Sequence, residues 1–338
     1  MGNIRGDQRR MIGIVGVVGF ALAACVVWLS ARMADGTERK TAMVDAELLS
    51  RIRQEASNLY IPPIDARADR VWKAIPGYNG LEVDVEKTFE EAKRRGIEAG
   101  IPWVFREVPP KVGLDDLGPL PIYKGNPRKP MAALMVNVAW GDEHLPAMLE
   151  TFRESGVRAT FFFDGSWLSR HLETARRIGE DGHELSNHAY SHPNMSRLSR
   201  ERQREEIVKT QTILKERLGV DNRLFAPPSG DYDDTTVRVA YELGLKTILW
   251  TIDTVDWKNP PPDAVVRKVK ARLEPGSLIL MHPTPASRAA LADMIRVVRA
   301  EGLALGTVSE LISPARIRPD RPLAGPSVIK YETGGKED

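Results

Sequence analysis

Six histidines occur in the chain, and two of them, His188 and His192, stand four residues apart in the segment GHELSNHAYSHP, residues 182–193. Two imidazoles at that spacing on one turn can grip a single cation, and nitrogen donors suit Zn²⁺. The metalloprotease pattern His-Glu-x-x-His is not formed, because His183-Glu184 would need a histidine where Asn187 stands. The other residues able to do chemistry lie in short polar stretches behind apolar runs. WGDEH at 140–144 offers Asp142, Glu143 and His144, and FAPPSG at 225–230 offers a tight loop. WTIDTVDW at 250–257 offers Asp253, Asp256 and Trp257, and His282 follows LILM at 278–281. His171 and His183 read as structural residues, His144 as a helix-start residue and Asp253 as a strand-end cap.

Those stretches need elements to hold them. Apolar runs fall at 131–138, 159–163, 224–225, 247–250, 278–281 and 303–305, with a seventh at 183–186. Between them lie helical spacings such as Leu145, Met148, Leu149, Phe152 and Ile207, Ile213, Leu214, Leu218. Alternation of this kind implies a parallel sheet with crossover helices. The fold class expected is α/β, a distorted and incomplete (β/α)7 barrel, with an open doubly wound sheet as the alternative. No glycine-rich phosphate loop follows the first strand, which counts against nucleotide binding. In a β/α barrel the active site gathers at the C-terminal strand ends. Five of the polar stretches would then converge on one pocket.

The N-terminal third reads differently. Residues 11–29, MIGIVGVVGFALAACVVWL, are uncharged and of bilayer-spanning length, with Arg5, Arg9 and Arg10 in front. Positive residues favour the cytoplasmic side, so residues 1–10 are expected inside and the remainder outside a single-pass anchor in the cell membrane. The LAAC segment ending at Cys25 leaves a lipoprotein as the second reading and a cleaved signal as the third. Residues 30–60 read as a juxtamembrane stalk, polar to about position 41 and helical after it. Residues 61–127 read as a small α+β unit with a Pro/Gly-rich linker: a turn at 76–80, a strand at 81–85, a helix at 86–95 and a strand at 101–108. The chemical domain is expected at 128–312, and residues 313–338 read as a disordered tail.

Bulk composition bounds the function. At 338 residues the chain has room for one large domain and additions. A net charge of +2 with scattered basic residues points away from nucleic acid as a partner. The one cysteine, Cys25, excludes an intrachain disulfide.

Several motifs in order resemble the polysaccharide deacetylases, carbohydrate esterase family 4 with the NodB homology domain, over about 130–312. GVRATFFFDG at 156–165 resembles the family's second strand, and GHELSNHAYSHP its metal-binding motif. FAPPSG resembles the loop forming one groove wall, and Asp256-Trp257 and Leu280-Met281-His282 resemble the last two motifs. The resemblance implies metal-dependent hydrolysis of N-acetyl groups on a cell-wall or spore-wall polysaccharide such as peptidoglycan. The metal would be divalent, Zn²⁺ with Co²⁺ or Ni²⁺ as alternatives, held by His188, His192 and a carboxylate. His282 would be the general acid, oriented by Asp256. Pro227, Pro228, Ser229 and Gly230 would line the groove, and Trp257 and Leu280 the acetyl pocket.

The first motif departs from the family. Two adjacent aspartates, base and metal ligand, precede a glycine there, whereas this chain reads LMVNVAWGD at 134–142. Counted from the strand start, Asn137 takes the base position and Val138 the ligand position; counted back from Gly141, these are Ala139 and Trp140. An amide is no general base. Asp142, or Glu143, is the carboxylate the same loop could supply. Ala226 stands where the family's supporting arginine would be. The anchor and the Trp-Gly-Asp motif look similar to sporulation-associated members. Two readings follow: a working deacetylase drawing on Asp142 or Glu143, or a degenerate member that binds glycan in wall assembly without turning it over.

Overall fold

The computed structural model describes residues 7–96 and 100–317, without the side chains of residues 7–24, 29, 31 and 34–37. The chain divides into two compact units, residues 1–61 with 81–106 and residues 62–80 with 107–338. Residues 61–127, read above as one small unit, are shared between them. The first unit opens with α1 (Asp7–Ala56), a single 50-residue helix. The polar stretch at 30–41, expected as a linker, is helical too, because no proline interrupts it and an established helix extends cheaply. Among the described residues no helix is long and apolar enough to cross a membrane. Most side chains of the apolar run at 11–29 lie outside the described residues, as does most of the expected tail.

The hairpin β1 (Arg67–Asp69) and β2 (Lys73–Ile75), unseen in the sequence, belongs to the second unit. The chain crosses between units within β3 (Gly80–Val83) and β4 (Phe105–Val108), which pair with each other around α2 (Val85–Arg95). In the first unit Leu48 and Ile52 of α1 pack with Ala92 of α2 and with Phe89, Ile101 and Trp103. Asp84 caps α2 by accepting from the Lys87 N–H.

From residue 131 strands and helices alternate. They are β5 (Met131–Val138), α3 (Leu145–Ser155), β6 (Thr160–Phe163), α4 (Gly165–Arg170), α5 (Leu172–Glu180), β7 (Glu184–Asn187) and α6 (Arg200–Leu218). Then follow β8 (Leu224–Phe225), α7 (Asp234–Glu242), β9 (Lys246–Thr247), β10 (Ile252–Asp253), α8 (Pro262–Arg272), β11 (Leu278–Met281), α9 (Pro285–Ala300), β12 (Ala304–Gly306) and α10 (Val308–Ile312). The strands form one parallel sheet in the order β10-β11-β5-β6-β7-β8-β9, with β12 also on β5. The sheet curls into a half-barrel that stays open between β9 and β10, the incomplete (β/α)7 architecture. The outer edge of β9 is covered by Ile122, whose N–H donates to Thr247 O and whose carbonyl accepts from Leu249 N–H, both within 2.9 Å. The expected strand at 247–250 is two short strands instead, and the turn between them carries Trp250. Two-residue strands are too short to show a period.

Strand periodicity then decides what faces the interior. In β5 the residues Ala132, Leu134, Val136 and Val138 pack against the helices, while Met131, Ala133 and Met135 pack inside the curl. Asn137 is next on the inner face, at its open end. In β11 Ile279 and Met281 face the helices and Leu278 faces inward, so Leu280 and His282 follow on the inner face. In β7 Leu185 faces the helices, which turns His188 inward. The lower interior is closed by Val308, Leu311 and Ile312 of α10 with Ala74 and Ile122.

His183, just before β7, is a buried structural residue. Its Nδ1 accepts the Ala159 N–H at 3.0 Å, and its ring meets Phe152 and Phe161 edge-on. Burial pushes it down to about 4. The unfolded chain therefore binds a proton that the folded chain refuses, and this stability is whole above pH 6.5 and lost as pH falls toward 4. In urea titrations between pH 8 and 4.5, His183→Gln is expected to remove about 2–3 kcal/mol of the acid-dependent loss; a wild-type slope in the variant would contradict this.

Candidate active site

A cavity of about 520 Å³ opens at the C-terminal ends of the strands. It is lined by Asn137 in β5, Ala139 and Trp140 after it, His188 and His192 after β7, Ser229 after β8, Trp250 and Asp253 near β10, then Trp257, Leu280 and His282. The convergence expected from the sequence therefore brings together Asn137, His188, His192, Ser229, Trp257, Leu280 and His282.

His188 is buried, and its Nδ1 lies 2.7 Å from Ala226 O. Nδ1 thus carries the proton and Nε2 keeps its lone pair. Burial, reinforced by His192, pushes His188 down to about 3. His192 is held in a left-handed conformation (φ 55°) with its ring 5.1 Å from that of His188. Burial lowers it as well, while Asp164 acts the other way. Both imidazoles are neutral near pH 7 and available as donors.

His282 is fixed by Asp256, which is fully buried. Oδ1 of Asp256 accepts from His282 Nδ1 at 2.8 Å, and Oδ2 accepts from the His282 backbone N–H at 2.6 Å. Ser287 Oγ and Thr284 Oγ1 also donate to Oδ2. Burial works to raise the Asp256 carboxyl, but the bonds from His282 and Ser287 hold it below its ordinary value. The His282 proton is therefore on Nδ1, leaving Nε2 as the group that meets a ligand.

The carboxylate expected from the first loop does not reach this cavity. Asp142 starts a one-turn 3₁₀ helix (Asp142–His144), is about half exposed, and faces His171 Nε2 at 3.9 Å. Glu143 is more exposed and faces His144 at 3.5 Å. The reason is the turn before them. Gly141 is left-handed (φ 77°) and lies so close to Pro283 that a Cβ would stand 2.0 Å from its carbonyl oxygen. The chain is thereby swung away from the pocket, and Trp140 becomes the last residue of the loop to line it. The Trp140 indole stacks parallel to His282, centroids 5.9 Å apart and planes 7° apart.

Pro227 and Pro228 are buried beneath the wall rather than on the cavity, where Ser229 (φ 56°) is the lining residue. Gly230 lies against Trp250, with no room for a side chain at 2.8 Å from the indole. Sequence reasoning did not single out Trp250 and gave Asp253 only a capping role; Asp253 does accept the Val255 N–H at 2.8 Å, and it also lines the cavity. Asp164 was missed altogether. It is buried after β6 with Oδ1 capping α4 at the Trp167 N–H and Oδ2 unpartnered. Burial raises its carboxyl above the usual range.

The donor set does not make up a three-ligand metal centre. His188 and His192 give two nitrogens, and among the described residues no group of three or more His, Cys, Asp or Glu side chains is placed to hold a metal ion. A catalytic zinc site takes three protein ligands. What remains is a tryptophan-lined pocket with three histidines, two of them held neutral, and an oriented imidazole.

A parallel β/α half-barrel with such a pocket at its strand ends has the layout in which loops behind the strands build a functional site. The family profile described as Polysaccharide deacetylase matches residues 124–248. The uncharacterised protein YlxY of Bacillus subtilis is 41% identical over 270 residues, 80% of this chain and 85% of its own length. A peptidoglycan-N-acetylglucosamine deacetylase of Bacillus cereus is 30% identical over 175 residues, 50% of this chain and 82% of that protein. Among solved structures, a wild-type CE4 family pseudoenzyme from Bacillus anthracis superposes with a TM-score of 0.73 at 40% identity, covering 80% of this chain and 96% of that one. A mutant of that pseudoenzyme, with restored enzymatic activity, gives the same TM-score at 38% identity, covering 80% and 99%. The chain belongs to the polysaccharide deacetylase family.

Two histidines without a carboxylate predict weak metal binding. Calorimetric titration with Zn²⁺ should show a site that His192→Ala abolishes and that Trp140→Asp tightens by about tenfold or more, by restoring an oxygen donor. Unchanged affinity in Trp140→Asp would show that position 140 does not face the histidine pair.

Proposed function

We propose that this protein is a glycan-binding member of the family, which holds an N-acetylated polysaccharide such as peptidoglycan without hydrolysing it. The observation that carries this reading is the end of β5. Ala139 and Trp140 stand on the cavity where the family's aspartate pair would be, and Trp140 lies against the face of His282. Hydrolysis needs a group to take the proton of attacking water, and neither an indole nor an amide does so. The similarity to a CE4 pseudoenzyme supports the same reading.

Turnover is the second reading, favoured by the intact Asp256–His282 pair. With Asp142 turned away, its base would have to be Asp253, the carboxylate on the cavity wall among the described residues. A placement outside the cell membrane rests on the sequence alone, on the apolar run at 11–29 behind Arg5, Arg9 and Arg10, with lipidation at Cys25 as the alternative. The sporulation-associated role suggested by the anchor and the Trp-Gly-Asp motif belongs to the same proposal.

The test is acetate release from N-acetylglucosamine oligomers and peptidoglycan with Zn²⁺ or Co²⁺ added. No release is expected from the folded wild-type chain, while binding survives in His282→Ala. Wild-type turnover that this one substitution abolishes would establish the catalytic reading instead.

A further inference from the structure

We propose that the cavity reads the acetamido group itself, with the Asn137 amide taking its hydrogen bond and Trp140 carrying the face of the sugar ring. This rests on the glycan-binding reading above and adds the residues that set its selectivity.

Asn137 is the first part of the argument. Strand periodicity puts it on the inner face of β5 behind Met131, Ala133 and Met135, and it lines the cavity while only 3% exposed. Its Oδ1 is buried and meets no donor in the protein. A buried amide oxygen without a partner is costly, and such groups persist where a ligand or water supplies the missing hydrogen. The N–H of an acetamido group is a neutral donor of the right kind. Ala139 and Leu280 give the cavity an apolar lining beside Asn137. An acetyl methyl suits that lining. A free amino sugar would bring an ammonium, which the apolar Ala139 and Leu280 cannot solvate.

Trp140 is the second part. Trp140 and Trp257 are both large exposed side chains on the cavity, at 45% and 53%. Exposed aromatic surface gathered at one pocket marks a binding site. The Trp257 ring already carries the Lys258 ammonium 4.9 Å from its centroid. Trp140 has one face stacked on His282, which fixes its plane, and the close approach of Gly141 to Pro283 anchors the backbone beside it. Its other face is the preorganised platform, and pyranose rings offer apolar C–H faces to such platforms.

The two residues are expected to fail differently. The full-length chain in detergent would be titrated calorimetrically with the N-acetylglucosamine tetramer and with its fully N-deacetylated counterpart. Wild type should prefer the acetylated tetramer by about tenfold or more. Asn137→Ala and the near-isosteric Asn137→Leu should each erase that preference by weakening the acetylated tetramer alone. Trp140→Ala should weaken both tetramers by a similar factor. A preference that survives both Asn137 substitutions overturns the proposal, and so does a wild type that binds the two tetramers equally, which leaves the glycan-binding reading standing. A wild type that binds neither tetramer removes both.

Discussion

The long strand β5 governs what this site can be. Its eight residues are all buried, and one of its edges serves two partners in succession, β12 along Met131–Ala133 and β6 from Met135 onward. The other edge takes β11 along Ala133–Val136. A strand committed on both edges cannot slip, since a one-residue shift would exchange its inner and outer faces. With the register fixed, Asn137 must face the interior and Val138 the helices. The same constraint fixes where β6, β7 and β11 end, and so where His188 and His282 meet β5's loop.

Much of this was legible in the sequence because buried parallel strands are written as continuous apolar runs. MAALMVNV and LILM could be located without any alignment. The histidine pair and His282 were legible for another reason: each sits directly behind such a run, so the barrel rule placed them at one end, whereas the Asp256–His282 pairing was implied by the resemblance. What escaped was set by tertiary contact. The hairpin at 67–75 and strand β10 are too short to carry a period. The failure of Asp142 turned on Gly141 meeting Pro283, a contact between residues far apart in sequence. From sequence, a carboxylate two residues after Trp140 looks near the pocket; from geometry, a left-handed glycine sends it toward His171.

Asp164 has no such account from sequence. The TFFFD segment reads as a strand followed by a helix cap, and its Oδ1 does cap α4. Its Oδ2 stays buried and unpartnered near His192, and the raised pKa shows the cost of that burial. A second buried oxygen left without a partner beside the histidine pair fits a pocket whose polar lining is completed by something other than protein.

Persistence of the Asp256–His282 pair is weaker support for turnover than its catalytic appearance suggests. Asp256 is fully buried and accepts from two donors of His282 and from Thr284 and Ser287. Thr284 is also the N-cap of α9, so the carboxylate ties the end of β11 to the start of the helix that packs against α3 and α8. Removing it would strand several buried donors at once, a large penalty whether or not the site reacts. At the end of β5, by contrast, Ala139 and Trp140 lie beyond the last paired residue, so the sheet sets no demand on the side chains there. The Asp256–His282 pair is therefore a requirement of the fold whether or not the site turns over a substrate.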